Sequence, residues 1–575
     1  MNKPASLLEP SPAVAGQAAY KVVRPATPVE LCLDGNEGAW PPASVFVALL
    51  EAGASVVRNY PKPAAIEVVL AKHLGVEIER VLVTAGADDA LDRVCRAMLA
   101  PGRQMILPEP SFEMLARYAR LAGAEVVSVA WPSGPFPTDE VLANVNAETR
   151  VIMVVSPNNP TGAVACADDV RRLAEGAPHA LIVVDHAYVE FADEDLSALA
   201  LSLPNAVVVR TLSKAWGMAG LRVGYVSGPV EVIDWLRAAG NPYAVSGPSL
   251  LMASRRVERG QPEVDAFVAG IRSERVELER VLAELGAEPV SSQANFVYCR
   301  FDNALWVRDA LAGLGIAVRA FAERKGMEQY LRITCPGGEL AFERLVRSLR
   351  VVLAPQALLF DLDGVIADVS GSYRQAIIDT ARSFGVDVTP AEITVAKAKG
   401  NANNDWELTR RLIESRKVYA PLEEVTRRFE ALYQGIGEND GLHLTETMLC
   451  EQALFERLAK RLPLGIVTGR PRQDADRFLA QYAIGQYFST VICMEDGPLK
   501  PDPAPVNLAL EALGLERAWM IGDTPDDARA ARAAGVVPIG VIAPGEEVDT
   551  ISTALFGAGA GRILRDLAQI EELLP

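Results

Sequence analysis

At 575 residues the chain is longer than one hydrophobic core serves, so several domains are expected. Half of its residues are apolar and 23% are charged, the balance of a globular protein and not of a disordered or fibrous one. A formal net charge of −18, spread along the sequence, disfavours nucleic acid or an anionic membrane as partner, so small anionic substrates need locally placed Arg or Lys.

Residues 1 to about 28 are rich in Pro and Ala, have weak periodicity, and read as an arm that packs on another surface; with part of a small lobe it extends to 45. From 46 to 238, short β-branched runs at 81–84, 104–107, 151–156, 181–185 and 206–210 alternate with helical patterns. That alternation predicts an α/β domain whose mostly parallel sheet is covered by helices on both faces. From 239 to 354 a long charged helix (261–285) and strands near 295–300 and 330–334 predict a smaller α+β lobe. A boundary falls near 355, where Ala354-Pro355 precedes a new apolar strand at 357–360. A second βα alternation follows at 464–468, 490–493, 519–523 and 537–541, after an inserted, mainly helical cap at about 370–460.

The seven cysteines (Cys32, Cys95, Cys166, Cys299, Cys335, Cys450, Cys493) lie far apart with no CxxC pair, and read as reduced core thiols. No stretch of about 18 uncharged apolar residues occurs and no basic leader precedes an apolar run, so a cytoplasmic protein away from membranes is expected. With four histidines in all, acid–base chemistry is expected to rest on Lys, Asp or Tyr.

The run from Arg210 to Arg222, Arg-Thr-Leu-Ser-Lys-Ala-Trp-Gly-Met-Ala-Gly-Leu-Arg, follows a strand, and its Lys214 can reach a carbonyl as a Schiff base. Ser213 and Arg222 can place a hydroxyl and a guanidinium on one phosphate. Asp185 closes an apolar strand, where it suits either a pyridinium nitrogen or a helix N-cap, and Tyr188 follows. Asn159, in the turn Ser156-Pro-Asn-Asn-Pro-Thr-Gly162, can donate to the same ring oxygen as Tyr188. Gly86-Ala87-Asp88-Asp89 opens a helix after a strand and reads as a phosphate site or a plain βα turn.

With Asn36, Asn59-Tyr60-Pro61, Asn295 and Arg332, these motifs resemble the fold-type I aminotransferases, and within them the histidinol-phosphate aminotransferase family, over roughly 28 to 350. The resemblance implies pyridoxal phosphate held by Lys214, which also moves the proton. It implies Asp185 on the pyridine nitrogen, Tyr188 and Asn159 on the ring oxygen, and Ala87, Asp88, Ser213 and Arg222 on the phosphate. Phe112 stands where the family stacks an aromatic, often Tyr, on the cofactor; His186 stands where the family often has Glu. Tyr60 would reach the phosphate of a partner subunit, which implies a homodimer. Arg332 would bind the anionic group of each substrate, with Asn36, Tyr20 and Arg319 as weaker candidates for lining the pocket.

Leu358-Leu-Phe-Asp361-Leu-Asp363-Gly places two carboxylates in one crevice at a strand end, one able to attack phosphorus and the other to protonate a leaving alcohol. Thr468 offers a hydroxyl, Lys500 a cation, and Gly522-Asp523-Thr-Pro-Asp-Asp527 further carboxylates; such a cluster calls for a hard cation, Mg²⁺. These motifs resemble the haloacid dehalogenase superfamily, phosphatase-like members with a helical cap on a Rossmann-like domain, over roughly 355 to 575. The resemblance implies Asp361 as nucleophile, Asp363 as acid–base, Thr468 and Lys500 as phosphate holders, and Asp523, supported by Asp527, as metal ligand; Asp361 and Asp363 are further metal candidates. In the cap, the polar run 400–406 either contacts substrate or is a plain loop.

The expected activity is therefore bifunctional: transamination between histidinol phosphate and 2-oxoglutarate, or imidazole-acetol phosphate and glutamate, together with Mg²⁺-dependent phosphate monoester hydrolysis. The alternatives are an aminotransferase for another aromatic or phosphorylated amino acid joined to a phosphatase of unrelated specificity, or to a non-catalytic ligand-sensing domain.

Overall fold

The computed structural model describes residues 9–15, 17, 19, 25–436 and 439–575, so most of the expected N-terminal arm, Tyr20 included, lies outside the described residues. The chain forms two compact units. The first holds Leu33–Arg300 and Tyr330–Phe342 with the described residues before position 23. The second holds Phe301–Gln329 and Glu343–Pro575 with the described residues from 25 to 32. The division thus runs through the region read from sequence as one small lobe.

In the first unit a seven-stranded sheet has the order Val81–Thr84, Gly224–Ser227, Ala206–Thr211, Leu181–Asp185, Thr149–Val155, Gln104–Glu109, Glu125–Ala130. Gly224–Ser227 runs antiparallel to both neighbours and the remaining pairs are parallel. The central strands are continuous Val/Ile/Leu runs because helices bury both faces. Met105, Leu107, Val151 and Met153 join one apolar cluster, and Ile106, Ile152 and Val154 join the other. Beyond the sheet, the long charged helix forms as Gln261–Glu284, and Phe296–Arg300 pairs antiparallel with Tyr330–Thr334 and Glu288–Val290.

The second unit is built on a six-stranded parallel sheet, in the order Phe488–Ile492, Leu464–Val467, Ala357–Phe360, Ala518–Gly522, Val537–Val541, Arg562–Leu564. The chain enters at the central strand Ala357–Phe360 and adds later strands on either side, which opens a crevice at the strands' carboxyl ends. Between the first two strands lie the helices Tyr373–Ser383, Pro390–Ala398, Asp405–Glu414 and Leu422–Gln434. The ribbon Ala367–Asp368 with Thr447–Met448 returns the chain to the sheet.

Trp519, fully buried, joins this sheet to the segments that precede it. Its indole N–H donates to Val351 O at 2.9 Å, and its ring meets Trp306 edge-on at 4.8 Å. Arg562 donates to Asp309 Oδ2 at 2.7 Å, and Thr27 Oγ1 donates to Ala560 O at 2.6 Å.

Of the seven cysteines, all free, Cys32 and Cys166 are exposed and Cys450 is half-buried, which corrects the reading of all of them as core thiols. Cys32 is the outward-facing middle residue of Leu31–Leu33, and Cys166 is the N-cap of the helix Ala167–Gly176. Among the described residues no helix is long and apolar enough to cross a membrane. Replacing Trp519 by Ala should destabilise the second unit by roughly 3–5 kcal/mol in urea unfolding, whereas Trp519→Phe, which keeps the ring packing, should lose only about 1 kcal/mol.

Candidate functional site

In the first unit, five segments distant in sequence meet at the carboxyl ends of the parallel strands. Lys214 Nζ donates to Gly35 O at 3.0 Å and lies 5.6 Å from the centre of the Tyr188 ring. The Tyr188 hydroxyl accepts from Nδ2 of Asn36 at 3.0 Å and of Asn159 at 3.4 Å. Asn159 Oδ1 accepts from Arg332 Nη1 at 2.6 Å, while Arg332 Nη2 donates to Asp34 O at 2.6 Å. Asn36 has φ +54°, a left-handed conformation that asparagine tolerates better than most residues. Thr334 Oγ1, 2.8 Å from Asn36 Oδ1, and Asn295 Nδ2, 3.3 Å from Asn36 O, hold it there.

Asp185 is buried at the end of its strand, with Oδ1 accepting from the Ala187 N–H at 3.1 Å. Burial pushes its carboxyl up to about 7, against the lowering effect of that bond and of Lys214. A carboxylate so placed fits a cationic ring nitrogen, which would restore its ionised form.

Helix Gly86–Met98 starts beside it, and the amides of its first turn, Ala87 and Asp88 among them, have no intrahelical acceptor. Arg222 Nη2 donates to Asp88 Oδ2 at 2.9 Å, and the buried Ser213 hydroxyl accepts from Thr211 Oγ1 at 2.9 Å. Gly224 is required beneath this turn, because a Cβ there would sit 2.5 Å from Gly86 C and 2.6 Å from Ala87 N. First-turn amides, a guanidinium and a hydroxyl are the groups that would suit a phosphate. The residues present thus fit a phosphorylated aromatic aldehyde: an amine, a buried carboxylate, a phenol and donors suited to an anion.

Phe112 is half-buried against the apolar cluster of that sheet face. Tyr60, 77% exposed, stacks on Tyr243 at 4.7 Å and not on a residue of this cluster. Arg319 lies with its guanidinium 5.8 Å from the Phe321 ring. His186 is a buried structural residue, with Nδ1 3.1 Å from Ser197 Oγ. Burial and the Arg210 charge push it down to about 3, so it is neutral.

In the second unit, Asp361, Thr468, Lys500, Asp523 and Asp527 converge at the crevice. Lys500 Nζ lies 2.9 Å from Asp361 Oδ1 and 2.5 Å from Asp527 Oδ1, and donates to Val467 O at 2.9 Å. Burial lowers the Lys500 ammonium's affinity for its proton, but the charges of Asp361 and Asp527 more than offset this and raise it. Burial raises the Asp361 carboxyl well above the ordinary range and the Asp523 carboxyl to about 7, with neighbouring carboxylates adding to both. Ligand oxygens of Asp361, Asp523 and Asp527 lie within 4.8 Å of one another. This hard-oxygen set, strained by burial and mutual repulsion, fits a divalent cation. Gly364, φ +72°, lets Asp523 approach, since a Cβ there would lie 2.2 Å from Asp523 Oδ2. Asp527 also closes the capping box of helix Pro525–Ala533, which fixes its rotamer: its Oδ2 accepts from Thr524 N at 2.9 Å.

Asp363 differs from the expectation that it joins the metal set, for its carboxylate is taken by Arg470 Nε at 2.5 Å. Neither Arg470 nor its second partner Glu446 was singled out by sequence; Arg470 stands two positions after Thr468, but nothing marks Glu446, 83 residues beyond Asp363 in the chain. In the cap run it is Asn403 that reaches the crevice, donating to Lys500 O at 3.0 Å. Asn404 caps the helix Asp405–Glu414, and Trp406 donates to Glu430 at 3.0 Å.

The sequence model of the family "Aminotransferase class I and II" matches residues 32–349, and that of "Haloacid dehalogenase-like hydrolase" matches 358–541. Histidinol-phosphate aminotransferase of Caldanaerobacter subterraneus subsp. tengcongensis is 33% identical over 311 residues, covering 52% of this chain and 85% of the relative. The enzyme of the same name from Jannaschia sp. is 32% identical over 360 residues, 60% of this chain and 99% of the relative. A Phytophthora nicotianae protein named imidazoleglycerol-phosphate dehydratase is 48% identical over 228 residues, 38% of this chain; the chain spans half the length of that relative. Among solved structures, histidinol-phosphate aminotransferase from Sinorhizobium meliloti in complex with pyridoxal-5'-phosphate shares the fold with TM-score 0.54 and 22% identity, over 60% of this chain and 99% of its own. With the family model covering more than half of the sequence, the chain belongs to the class I and II aminotransferases, joined to a haloacid dehalogenase-like hydrolase region.

Proposed function

We propose that the chain is a bifunctional enzyme of the cytoplasm. Residues 46–354, in a large domain (46–238) and a small lobe (239–354), transaminate histidinol phosphate with 2-oxoglutarate, or imidazole-acetol phosphate with glutamate. Residues 355–575 hydrolyse a phosphate monoester. The observation that carries the first half is the run of contacts from Lys214 through Tyr188 and Asn159 to Arg332, which puts a reactive amine and an anion-binding guanidinium in one cluster. Two relatives are named for histidinol phosphate and one for imidazoleglycerol phosphate, both imidazole-bearing phosphate monoesters by name, which supports the substrate class.

Pyridoxal phosphate, when bound, supplies an electron sink for charge developing at the substrate's amine-bearing carbon. Lys214 Nζ would hold the cofactor as its amine partner and, once released, would be the base and acid that moves the substrate's proton. Asp185 would accept from the ring N–H and keep that nitrogen protonated. Tyr188 and Asn159 would contact the ring oxygen, Phe112 would stack on the ring, and the amides of Ala87 and Asp88 with Ser213 and Arg222 would hold the phosphate. Arg332, whose planar fork suits carboxylate and phosphate alike, binds the substrate anion, and Asn36 orients Tyr188. Tyr60 of the partner subunit completes the phosphate site in a homodimer, in keeping with its exposure in one copy.

In the second reaction an Asp361 oxygen attacks phosphorus, the ester P–O bond breaks, and the leaving oxygen takes its proton from Asp363. Water then attacks the same phosphorus, the bond to Asp361 breaks, and the water's proton passes to Asp363. Lys500 and Thr468 hold the phosphoryl oxygens. Asp361, Asp523 and Asp527 would hold Mg²⁺, which neutralises charge on the phosphoryl group.

Mixing the protein with histidinol phosphate should change the cofactor absorbance, restored by 2-oxoglutarate, and should release inorganic phosphate only with Mg²⁺. Lys214→Ala should abolish the absorbance change and leave phosphate release intact, while Asp361→Asn should do the reverse. A silent cofactor alongside phosphate release would refute the histidinol phosphate assignment of the first site. In cofactor-free protein, the raised Asp185 carboxyl contributes stability that is fully present below about pH 4 and lost as pH rises through about 7. Asp185→Asn should flatten that fall in thermal melts from pH 5 to 8 and weaken retention of the cofactor.

A further inference from the structure

Arg470 is among the largest fully buried side chains, and it ties together groups from four parts of the second unit. Its Nε donates to Asp363 Oδ1 at 2.5 Å, and Nη2 lies as close to the same oxygen. Its Nη1 donates to Glu446 Oε2 at 2.9 Å, and its own amide donates to Thr468 Oγ1 at 3.2 Å. The guanidinium is flanked by the rings of Tyr373 at 5.1 Å and Phe478 at 5.3 Å. Glu446, itself buried, is fixed by Ser372 Oγ at 2.9 Å and Tyr433 OH at 3.0 Å. Nε and Nη1 are thus each committed to a carboxylate while Nη2, close to Asp363 Oδ1, makes no hydrogen bond of its own, and the guanidinium meets only one oxygen of Asp363.

We propose that Arg470, anchored by Glu446, is the positioning residue that sets Asp363 for proton transfer to the leaving group of the hydrolase reaction. The inference rests on the reading of residues 355–575 as a phosphatase. With Oδ1 accepting from Nε and facing the charge at Nη2, the proton that Asp363 donates sits on Oδ2, so the guanidinium sets both the carboxyl's orientation and the oxygen that donates. As the ester P–O bond breaks and the phosphoryl group passes to Asp361, the departing alkoxide takes that Oδ2 proton and Asp363 is left as the carboxylate, paired with Arg470. A Lys ammonium, a point charge on a flexible stem, cannot bond Asp363 and Glu446 in this fixed geometry.

A merely structural clamp would affect every substrate alike; a positioning role depends on how much the leaving group needs a proton. The experiment measures kcat/KM with Mg²⁺ for p-nitrophenyl phosphate, whose leaving group departs without a proton, and for the primary-alcohol monophosphate that the wild type cleaves fastest from a panel. Arg470→Lys should lower the alkyl ester's kcat/KM on the order of 100-fold and that of the aryl ester only a few-fold. Glu446→Gln, which keeps the charge and packing of Arg470, should show the same selective loss at smaller size and serves if Arg470→Lys fails to fold, as judged by thermal melting. Equal losses on both esters, or none on either, would overturn the positioning role. Wild-type activity on the aryl ester alone would also overturn it, and inactivity on both would fell the phosphatase reading and the inference with it.

Discussion

A carboxylate buried at the carboxyl end of a central parallel strand cannot stay ionised without a positive partner, and both units are organised around one such group. The strand places it there because the backbone ladder ends where the crevice begins: Ser156 N still bonds Asp185 O, and Asp361 N still bonds Ile521 O. Beyond that point the side chain has only what the following loops bring. Asp185 receives one backbone N–H and the distant field of Lys214. Asp361 receives the Lys500 ammonium, together with two further carboxylates that raise the demand for positive charge. The difference suits the two proposed partners, an aromatic cation in the first unit and a hard divalent ion in the second.

The same demand explains where the remaining polar groups stand. In the first unit Asn36 is the hub: its amide donates to Tyr188, its carbonyl side accepts from Thr334, and its main chain is held by Asn295. Left-handed backbone at a buried asparagine is tolerable only because each of these partners is in place. Arg332 and Asn159 continue the cluster, so the proposed anion-binding residue is oriented by the group proposed to touch the ring oxygen. In the second unit Asp527 serves at once the helix cap and Lys500, and Arg470 serves Asp363, Glu446 and the Thr468 loop.

Much of this was legible in the sequence because it is local. Strand-ending carboxylates, the Ser213-Lys214 pair, Arg222, and the Thr468 and Lys500 positions all follow from short motifs attached to β-branched runs. The parallel sheets follow from the alternation of periods. The packing of helix Ala304–Gly313 was not legible: it meets the second sheet through Trp306 and Asp309, whose partners Trp519 and Arg562 lie over 200 residues further on. Nor did periodicity tell that Cys32 and Cys166 face solvent.

By itself the sequence determined the two α/β sheets, the family, and the residues at the strand ends, since hydrophobic period, turn chemistry and motif spacing are properties of neighbouring residues. Only the tertiary structure decided that Asp363 turns to Arg470 and not toward the other carboxylates, that Asn36 joins Tyr188, and that Asn403 and not Trp406 reaches Lys500. Each of these is a choice of partner for a buried polar group, and partners are supplied by segments that meet only when the cores close.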